Sequence, residues 1–397
     1  MGKYNFDEIV PRKNTNSLKY DFSLERGRSH DVMPLWVADM DFTTVPEIKN
    51  ALIERANHAI YGYTLPKDDF LDTVIQWMKK RHNFDTKREW YTYTPGVVFA
   101  ISMAIRALTK EGDSVLIQNP VYYPFTNVVI DNGRKLVVNS LVYGKDSEGN
   151  GRYTIDFEDF EDKIVRNKVK VFVLCNPHNP VGRVWTVAEL EKIGDICLKH
   201  NVTVVSDEIH EDFIFSGHTH VPFASVKPEY EAISITCTSP SKTFNLAGLQ
   251  LSNIIIPNSD IKLLFDQEIG RTGYDEPNIF GMVACQNAYT YGEDWLEELK
   301  EYLLKNLRYV EQFVKEKLPK VIFTVPEGTY LVWLDFNAYG LERRQLRDII
   351  EGKAKLWLDN GLMFGKEGSG FERINIAAPR SIIIDAMESL YEAFKEL

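Results

Sequence analysis

Through the first two-thirds of the chain, short apolar runs alternate with stretches in which apolar residues recur every third or fourth position. The runs at 114–118, 135–139, 170–174, 202–206 and 232–235 read as buried strands. The stretches at 97–108, 123–131 and 186–200 read as helices, the last opened by Thr186 and Glu189 at capping-box spacing. Strands apolar on both faces and separated by helices predict a mostly parallel sheet covered on both sides. Upstream, Thr44 is placed to cap a helix with Pro46 in its first turn and Ile48, Leu52, Ile53 and Ala56 along its buried face. Phe70, Val74, Trp77 and Met78 mark the apolar stripe of a second helix.

The rhythm changes in the last third. Residues 281–318 read as one long helix, 321–325 and 330–335 as strands around the turn Glu327-Gly328, and 341–360 as a helix. A strand at 371–377 and a closing helix at 382–395 complete the pattern. This mixture predicts a smaller α+β domain, built from 286–397 and an N-terminal arm, 1–45, beside a large domain spanning 46–285. The arm is irregular apart from the apolar stretch Met33 to Met40, and 144–151 reads as a polar turn rather than a boundary.

With 397 residues, 44% of them hydrophobic, the chain has ample core for two domains. Lys and Arg total 46 against 57 Asp and Glu, a net charge of -11, so nothing draws the protein as a whole to nucleic acid or an anionic membrane. No apolar run approaches the ~18 residues of a membrane span, and the opening residues lack a signal core. Cys175, Cys197, Cys237 and Cys285 are widely spaced and read as reduced core residues. A cytoplasmic protein is expected.

Ligands of parallel sheets gather beyond the carboxyl ends of the strands. Three such ends carry polar groups: Asn119-Pro120 with Tyr122, Asn176-Pro177-His178-Asn179-Pro180, and Asp207. Asn119-Pro120 and Asn179-Pro180 are candidates for cis bonds, which cost X-Pro only ~0.5–1 kcal/mol. Thr94-Pro95-Gly96, before the helix at 97–108, offers free N–H groups at a positive helix end, a candidate phosphate seat. Lys242 follows the run at 232–235 and lies among Ser239, Ser241 and Thr243. Dry, hydroxyl-rich surroundings favour a neutral amine able to form a Schiff base; a solvated loop lysine fits the same stretch. His178, His218 and His220 form no metal set and read as loop residues, so no metal is expected.

The ordered set Tyr63, Gly96, Tyr122, Asn179, Asp207, Ser239, Lys242 and Arg373 resembles the aspartate-aminotransferase superfamily, fold type I of pyridoxal-phosphate enzymes, over nearly the whole chain. Asp-Glu-Ile-His at 207–210, Ser-Lys-Thr-Phe-Asn at 241–245 and Arg-Ile-Asn-Ile-Ala-Ala-Pro-Arg at 373–380 are similar to its bacterial cystathionine β-lyase, or C–S lyase, branch. So are the openings Tyr4-Asn5-Phe6-Asp7 and Asn16-Ser17-Leu18-Lys19-Tyr20-Asp21. The resemblance implies an α/β, PLP-dependent transferase-like large domain with a mostly parallel seven-stranded sheet, a smaller α+β domain, and pyridoxal 5'-phosphate as cofactor.

Residue by residue, the resemblance implies that Lys242 carries the cofactor and moves the substrate's α-proton, that Asp207 faces the ring nitrogen, and that Asn179 reaches the phenolic oxygen. Tyr122 would stack on the ring, while Gly96, Val97, Ser239 and Ser241 would hold the phosphate. His210 stands where most transaminases carry a tyrosine, as in the C–S lyases, and Gln250 stands where many relatives carry a phosphate-clamping arginine. Tyr63 matches a tyrosine given to the neighbouring subunit's phosphate cup, which implies a homodimer with shared sites. Arg373 matches the arginine for the α-carboxylate of an amino-acid substrate, with Arg380 its rival; Trp36, Ala38 and Asp39 match the arm that lines the substrate side. The implied reaction is α,β-elimination from cystathionine or a cysteine S-conjugate, giving pyruvate, ammonia and a thiol. An aminotransferase and a PLP-binding regulatory protein are the alternatives.

Overall fold

Seven strands form the main sheet, in the order Tyr91–Thr94, Ser252–Ile255, Ser234–Thr238, Thr203–Asp207, Val171–Cys175, Ser114–Asn119, Lys135–Ser140. The computed structural model describes residues 2–397. Neighbouring strands run parallel except Ser252–Ile255, which is antiparallel to both of its neighbours. Val171, Val173 and Cys175 face a core shared with the helices Val97–Leu108 and Ser259–Arg271, whereas Phe172 and Leu174 face one shared with Phe157–Asn167 and Val187–Lys199. Both faces of the strand are thus dry, which explains its unbroken apolar run; each such side chain contributes roughly 1.5–3 kcal/mol. The capping box of Thr186 and Glu189 is present.

A second sheet has six strands, ordered Asp359–Asn360, Phe371–Asn375, Leu331–Asp335, Ile322–Thr324, Gly151–Thr154, Val142–Lys145. The polar segment 144–151 is therefore the tip of a hairpin that extends this sheet, a pairing with no counterpart in the apolar pattern. The arm is fastened by ion pairs: Arg12 to Asp39 at 2.6 Å and to Asp41 at 2.7 Å, and the buried Lys19 to Asp41 at 2.8 Å. Its Met33–Pro34 pairs in parallel with Leu356–Trp357, and Trp36 stacks on Trp357 with ring centroids 4.5 Å apart.

Several expected elements differ in detail. The long helix at 281–318 is two, Ile279–Tyr291 and Glu293–Lys317, broken at Gly292, where a Cβ would come within 2.3 Å of the Phe244 ring. The helix expected over 341–360 ends by Lys353; Lys355 takes a positive φ of 56°, and the chain then pairs as short strands with the arm and with Phe371–Asn375. Thr44 does not cap Pro46–His58: Val45 is the N-cap residue, and the Thr44 hydroxyl donates to the Phe244 carbonyl at 2.8 Å. Of that helix's expected buried face only Ile48 is fully buried; Leu52 is half-buried, and Ile53 and Ala56 are exposed. His178 and His220, expected in loops, are buried, and His178 Nε2 lies 2.8 Å from the Pro120 carbonyl oxygen. The four cysteines are buried and unpaired. Among the described residues no helix is long and apolar enough to cross a membrane.

Candidate active site

Strand register aligns Cys175, Asp207 and Cys237 in one row, so the segments that follow them open onto one cavity. It encloses about 780 Å³ of empty space, mouth included, within the range of small-ligand sites. Asn119-Pro120 and Asn179-Pro180 at this rim are both cis, as is Asn176-Pro177. Ala38, Gly96, Val97, Tyr122, Asn179, Asp207, His210, Ser239, Ser241 and Lys242 all line the cavity. Arg373 joins them through its fork: Nη1 donates to Asn179 Oδ1 at 2.8 Å, and Nη2 donates to the Trp36 carbonyl at 2.8 Å and to Asp359. Trp36 thus reaches the group through its backbone. Tyr63 does not join: it is 96% exposed, beside Pro277 and Ile279.

Lys242 sits in the four-residue helix Pro240–Thr243. Ser239 caps it, its hydroxyl accepting from the Ser241 N–H at 3.1 Å and donating to the Leu251 carbonyl at 2.7 Å. The Lys242 side chain runs inward, and Nζ donates to the Ala38 carbonyl at 2.8 Å. Burial lowers its pKa to about 8; Arg373 pushes the same way, while Asp39 and Asp207 oppose. Desolvation prevails because an ammonium loses more in leaving water than two neighbouring carboxylates return. Burial likewise raises Asp207 to about 7 against the Ile209 N–H, which donates to Oδ1 at 3.1 Å, and against Lys242. His210 is held well below its usual range by burial first, then by Lys242 and Arg373, so its imidazole is neutral. Tyr122 is pushed up by burial, and its backbone N–H donates to the Asn179 carbonyl at 3.0 Å.

Two further residues belong to this group. Tyr330 donates its hydroxyl to the same Ala38 carbonyl at 3.0 Å and packs edge-on against His210, 5.6 Å between centroids. Asp359, buried, holds the Arg373 fork from a neighbouring strand. Neither has a sequence signal: Tyr330 is one aromatic in an apolar run, and Asp359 lies in a stretch whose spacing reads as helix.

The donor set can be tested against the pyridoxal phosphate that the resemblance implies. Gly96 precedes the helix Val97–Leu108 with an extended φ of 176°, and a Cβ built there meets nothing within 4 Å. Open space therefore fronts a helix N-terminus, as an anionic group requires. His210 Nδ1 and Arg373 Nε are buried polar atoms without partners. Gln250, in a left-handed conformation at φ 53°, lines the same cavity with an amide in place of a guanidinium. Donors for a phosphate, a carboxylate for a ring nitrogen and an amine share one enclosure, and the residues fit the cofactor.

A family model for aminotransferase class I and II matches residues 30–385. The chain is 44% identical over 389 residues to cystathionine beta-lyase PatB of Bacillus subtilis (strain 168), covering 98% of this chain and 99% of that one. Among solved structures, cystalysin from Treponema denticola, which contains a pyridoxal 5'-phosphate cofactor, is similar with a TM-score of 0.94 and 39% identity, covering 99% of each chain. The PLP-bound C-S lyase from Staphylococcus hominis has a TM-score of 0.91 and 34% identity, covering 98% of each. From the family match over most of its length, the chain belongs to the aminotransferase class I and II family.

Proposed function

We propose that the protein is a pyridoxal-phosphate-dependent C–S lyase that eliminates a thiol from cystathionine or a related cysteine S-conjugate, leaving pyruvate and ammonia. The observation that carries the reading is the enclosed Lys242 amine, its pKa lowered to about 8 by burial, in one cavity with Asp207 and with Asn179, to which Arg373 is hydrogen-bonded. The relatives support it by name, as a cystathionine beta-lyase, a cystalysin and a C-S lyase.

When bound, pyridoxal phosphate would supply an electron sink conjugated, through the substrate's amino nitrogen, with its α-carbon. The chain's residues do the rest. Lys242 anchors the cofactor, and its amine, which burial makes easier to deprotonate, then takes the proton from the α-carbon in its neutral form. Asp207 keeps a proton on the ring nitrogen. Asn179 already gives its amide oxygen to Arg373, which leaves its N–H groups for the phenolic oxygen. The N–H groups of Gly96 and Val97, with the Ser241 hydroxyl and with the Ser239 hydroxyl once it turns from the Leu251 carbonyl, hold the phosphate, and Tyr122 covers the ring face. Arg373 takes the substrate carboxylate in a bidentate pair. Trp36 and Ala38 close that side, and neutral His210 adds no cation next to Lys242.

Tyr63 completes the phosphate cup of a second subunit. Ile53, Ile60, Tyr61, Tyr63 and Leu65 form an exposed apolar stretch, which a homodimer interface would cover. Residues 46–285 hold the cofactor, and 1–45 with 286–397 close over the substrate; the hairpin at 142–154 is the exception, since it serves the second sheet. Four unpaired cysteines suit the reducing cytoplasm.

The experiment is to incubate the holoprotein with L-cystathionine in the absence of any keto-acid acceptor. Pyruvate and free thiol are expected. Exchange of amino groups that depends on an added keto acid, without pyruvate release, would make the protein an aminotransferase instead.

A further inference from the structure

Behind the Asp207 strand end lies a second set of polar side chains that the proposed reaction does not use. His82 ends the helix Asp68–His82, Glu208, Glu211 and Asp212 follow the strand Thr203–Asp207, and His220 comes from the loop beyond; all five are buried. One oxygen of each carboxylate is held by the protein. Glu208 Oε1 accepts from the Ser206 hydroxyl at 2.7 Å and the Phe223 N–H at 2.9 Å, Glu211 Oε1 from the Thr238 hydroxyl, and Asp212 Oδ2 from the Thr243 hydroxyl at 2.8 Å. The other oxygen of each is buried without a partner, and so are His82 Nε2 and both nitrogens of His220.

These orphaned atoms converge. His82 Nε2 is 3.3 Å from Asp212 Oδ1 and 3.8 Å from Glu211 Oε2, and His220 Nε2 is 3.5 Å from Glu208 Oε2. None of these approaches has the geometry of a good hydrogen bond, though His82 is close enough to Asp212 and Glu211 to pair with them by charge. Ligand atoms of His82, Glu211 and His220 lie within 4.8 Å of one another. A metal with ligands at about 2.0–2.2 Å holds neighbouring donors roughly 3.3–3.6 Å apart. His82 Nε2 and Glu211 Oε2 stand 3.8 Å apart, so the three side chains need to draw in slightly around an ion. Hydroxyls that fix one carboxylate oxygen and aim the other are the outer partners that metal ligands require. The three buried carboxylates have two nearby side chains that can carry positive charge, His82 itself and Arg81, whose Nε is 3.9 Å from Asp212 and which is also paired with Glu297 at 2.6 Å.

We propose that His82, His220 and Glu211 bind one divalent first-row transition-metal ion of the zinc type, with the free oxygens of Glu208 and Asp212 at its rim. The ion would tie the helix Asp68–His82 to the segment following Asp207 and, through Thr243, to the residue after Lys242. The inference is independent of the reaction assigned above.

The test equilibrates the holoprotein with zinc chloride, removes unbound metal by gel filtration, and measures zinc per chain by mass spectrometry. About one equivalent is expected in the wild type, less than about a tenth in His82→Gln/His220→Gln, and a 10–100-fold weaker affinity in Thr238→Val, which loses only the donor that orients Glu211. The double variant also separates this site from any metal held by the cofactor. Wild-type protein that retains less than about a tenth of an equivalent holds ordered water there instead, and that result overturns the proposal whether or not the variants fold. Equal retention by wild type and a folded double variant overturns it as well.

Discussion

Removing the charge of Lys242 should reveal what the cavity does to that amine. In the unfolded chain a lysine titrates near 10.4, and in the folded apoprotein burial brings Lys242 to about 8. Between those values the unfolded chain carries the proton and the folded chain does not, so stability rises with pH. The full gap corresponds to about 3 kcal/mol, and about 2.5 kcal/mol of it is recovered between about pH 7 and about pH 10. Because Lys242 lines a cavity, that figure is an upper bound. Lys242→Met keeps a side chain of similar length without the charge and loses the bond to the Ala38 carbonyl at every pH. Urea unfolding of the two apoproteins across this range should therefore show the wild type gaining on the variant by up to about 2.5 kcal/mol. Comparing the two cancels every other group that titrates there. Curves that stay parallel within about 0.5 kcal/mol, or a gap that moves against the wild type as pH rises, would show that the amine keeps its ordinary pKa and that its neutrality is not built in by burial.

Three further outcomes follow from the same geometry. Arg373→Lys replaces a fork that spans Asn179 and Asp359 with a point charge, and kcat/KM should fall roughly 10–100-fold, mainly through KM; an unchanged KM would remove Arg373 from the carboxylate site. Gly96→Val places its side chain in open space on extended backbone, so the apoprotein should melt within about 2 °C of the wild type while its affinity for pyridoxal phosphate, followed by fluorescence quenching, drops at least about 10-fold. Undiminished affinity would show that the phosphate does not sit before that helix. Mixing inactive Lys242→Ala with inactive Tyr63→Ala subunits should restore about a quarter of the wild-type sites through hybrid dimers, whereas no recovery after confirmed subunit exchange would place Tyr63 outside the neighbour's site.

Five of the seven strands of the main sheet are legible in the sequence as apolar runs, as 171–175 shows. Tyr91–Thr94 and Ser252–Ile255, the antiparallel side of the sheet, are too short and polar to stand out. The second sheet is less so. Leu356–Trp357 and Asp359–Asn360 owe their strand form to the arm and to Phe371–Asn375, partners remote in sequence, and no local spacing reveals them. Gly292 separates two helices, and the Phe244 ring leaves no room for a side chain there, again a tertiary constraint. Ile53 and Ala56 show the converse, for an apolar stripe indicates a surface that avoids water without telling whether the chain itself provides the cover. In the candidate site, motif residues announce themselves, whereas Tyr330 and Asp359 are found only through the atoms they touch.

Those contacts explain why the cavity needs both sheets and the arm. Asp207 and Asn179 follow strands of the first sheet, whereas Arg373 and Asp359 belong to the second, and the bond from Arg373 to Asn179 joins the two across the cavity. The arm supplies carbonyls that neither sheet offers: Trp36 accepts from Arg373, and Ala38 accepts from both Lys242 and Tyr330. Arg12, with Asp39 and Asp41, holds that stretch in place, which keeps the Ala38 carbonyl on the amine. On the proposed reading, a substrate carboxylate must compete with Asp359 for the Arg373 fork. Success transfers the arginine's charge from a protein carboxylate to a ligand one while its bond to Asn179 stays intact. On the same reading, Asn179 links the Arg373 fork to the cofactor's phenolic oxygen through a single amide side chain.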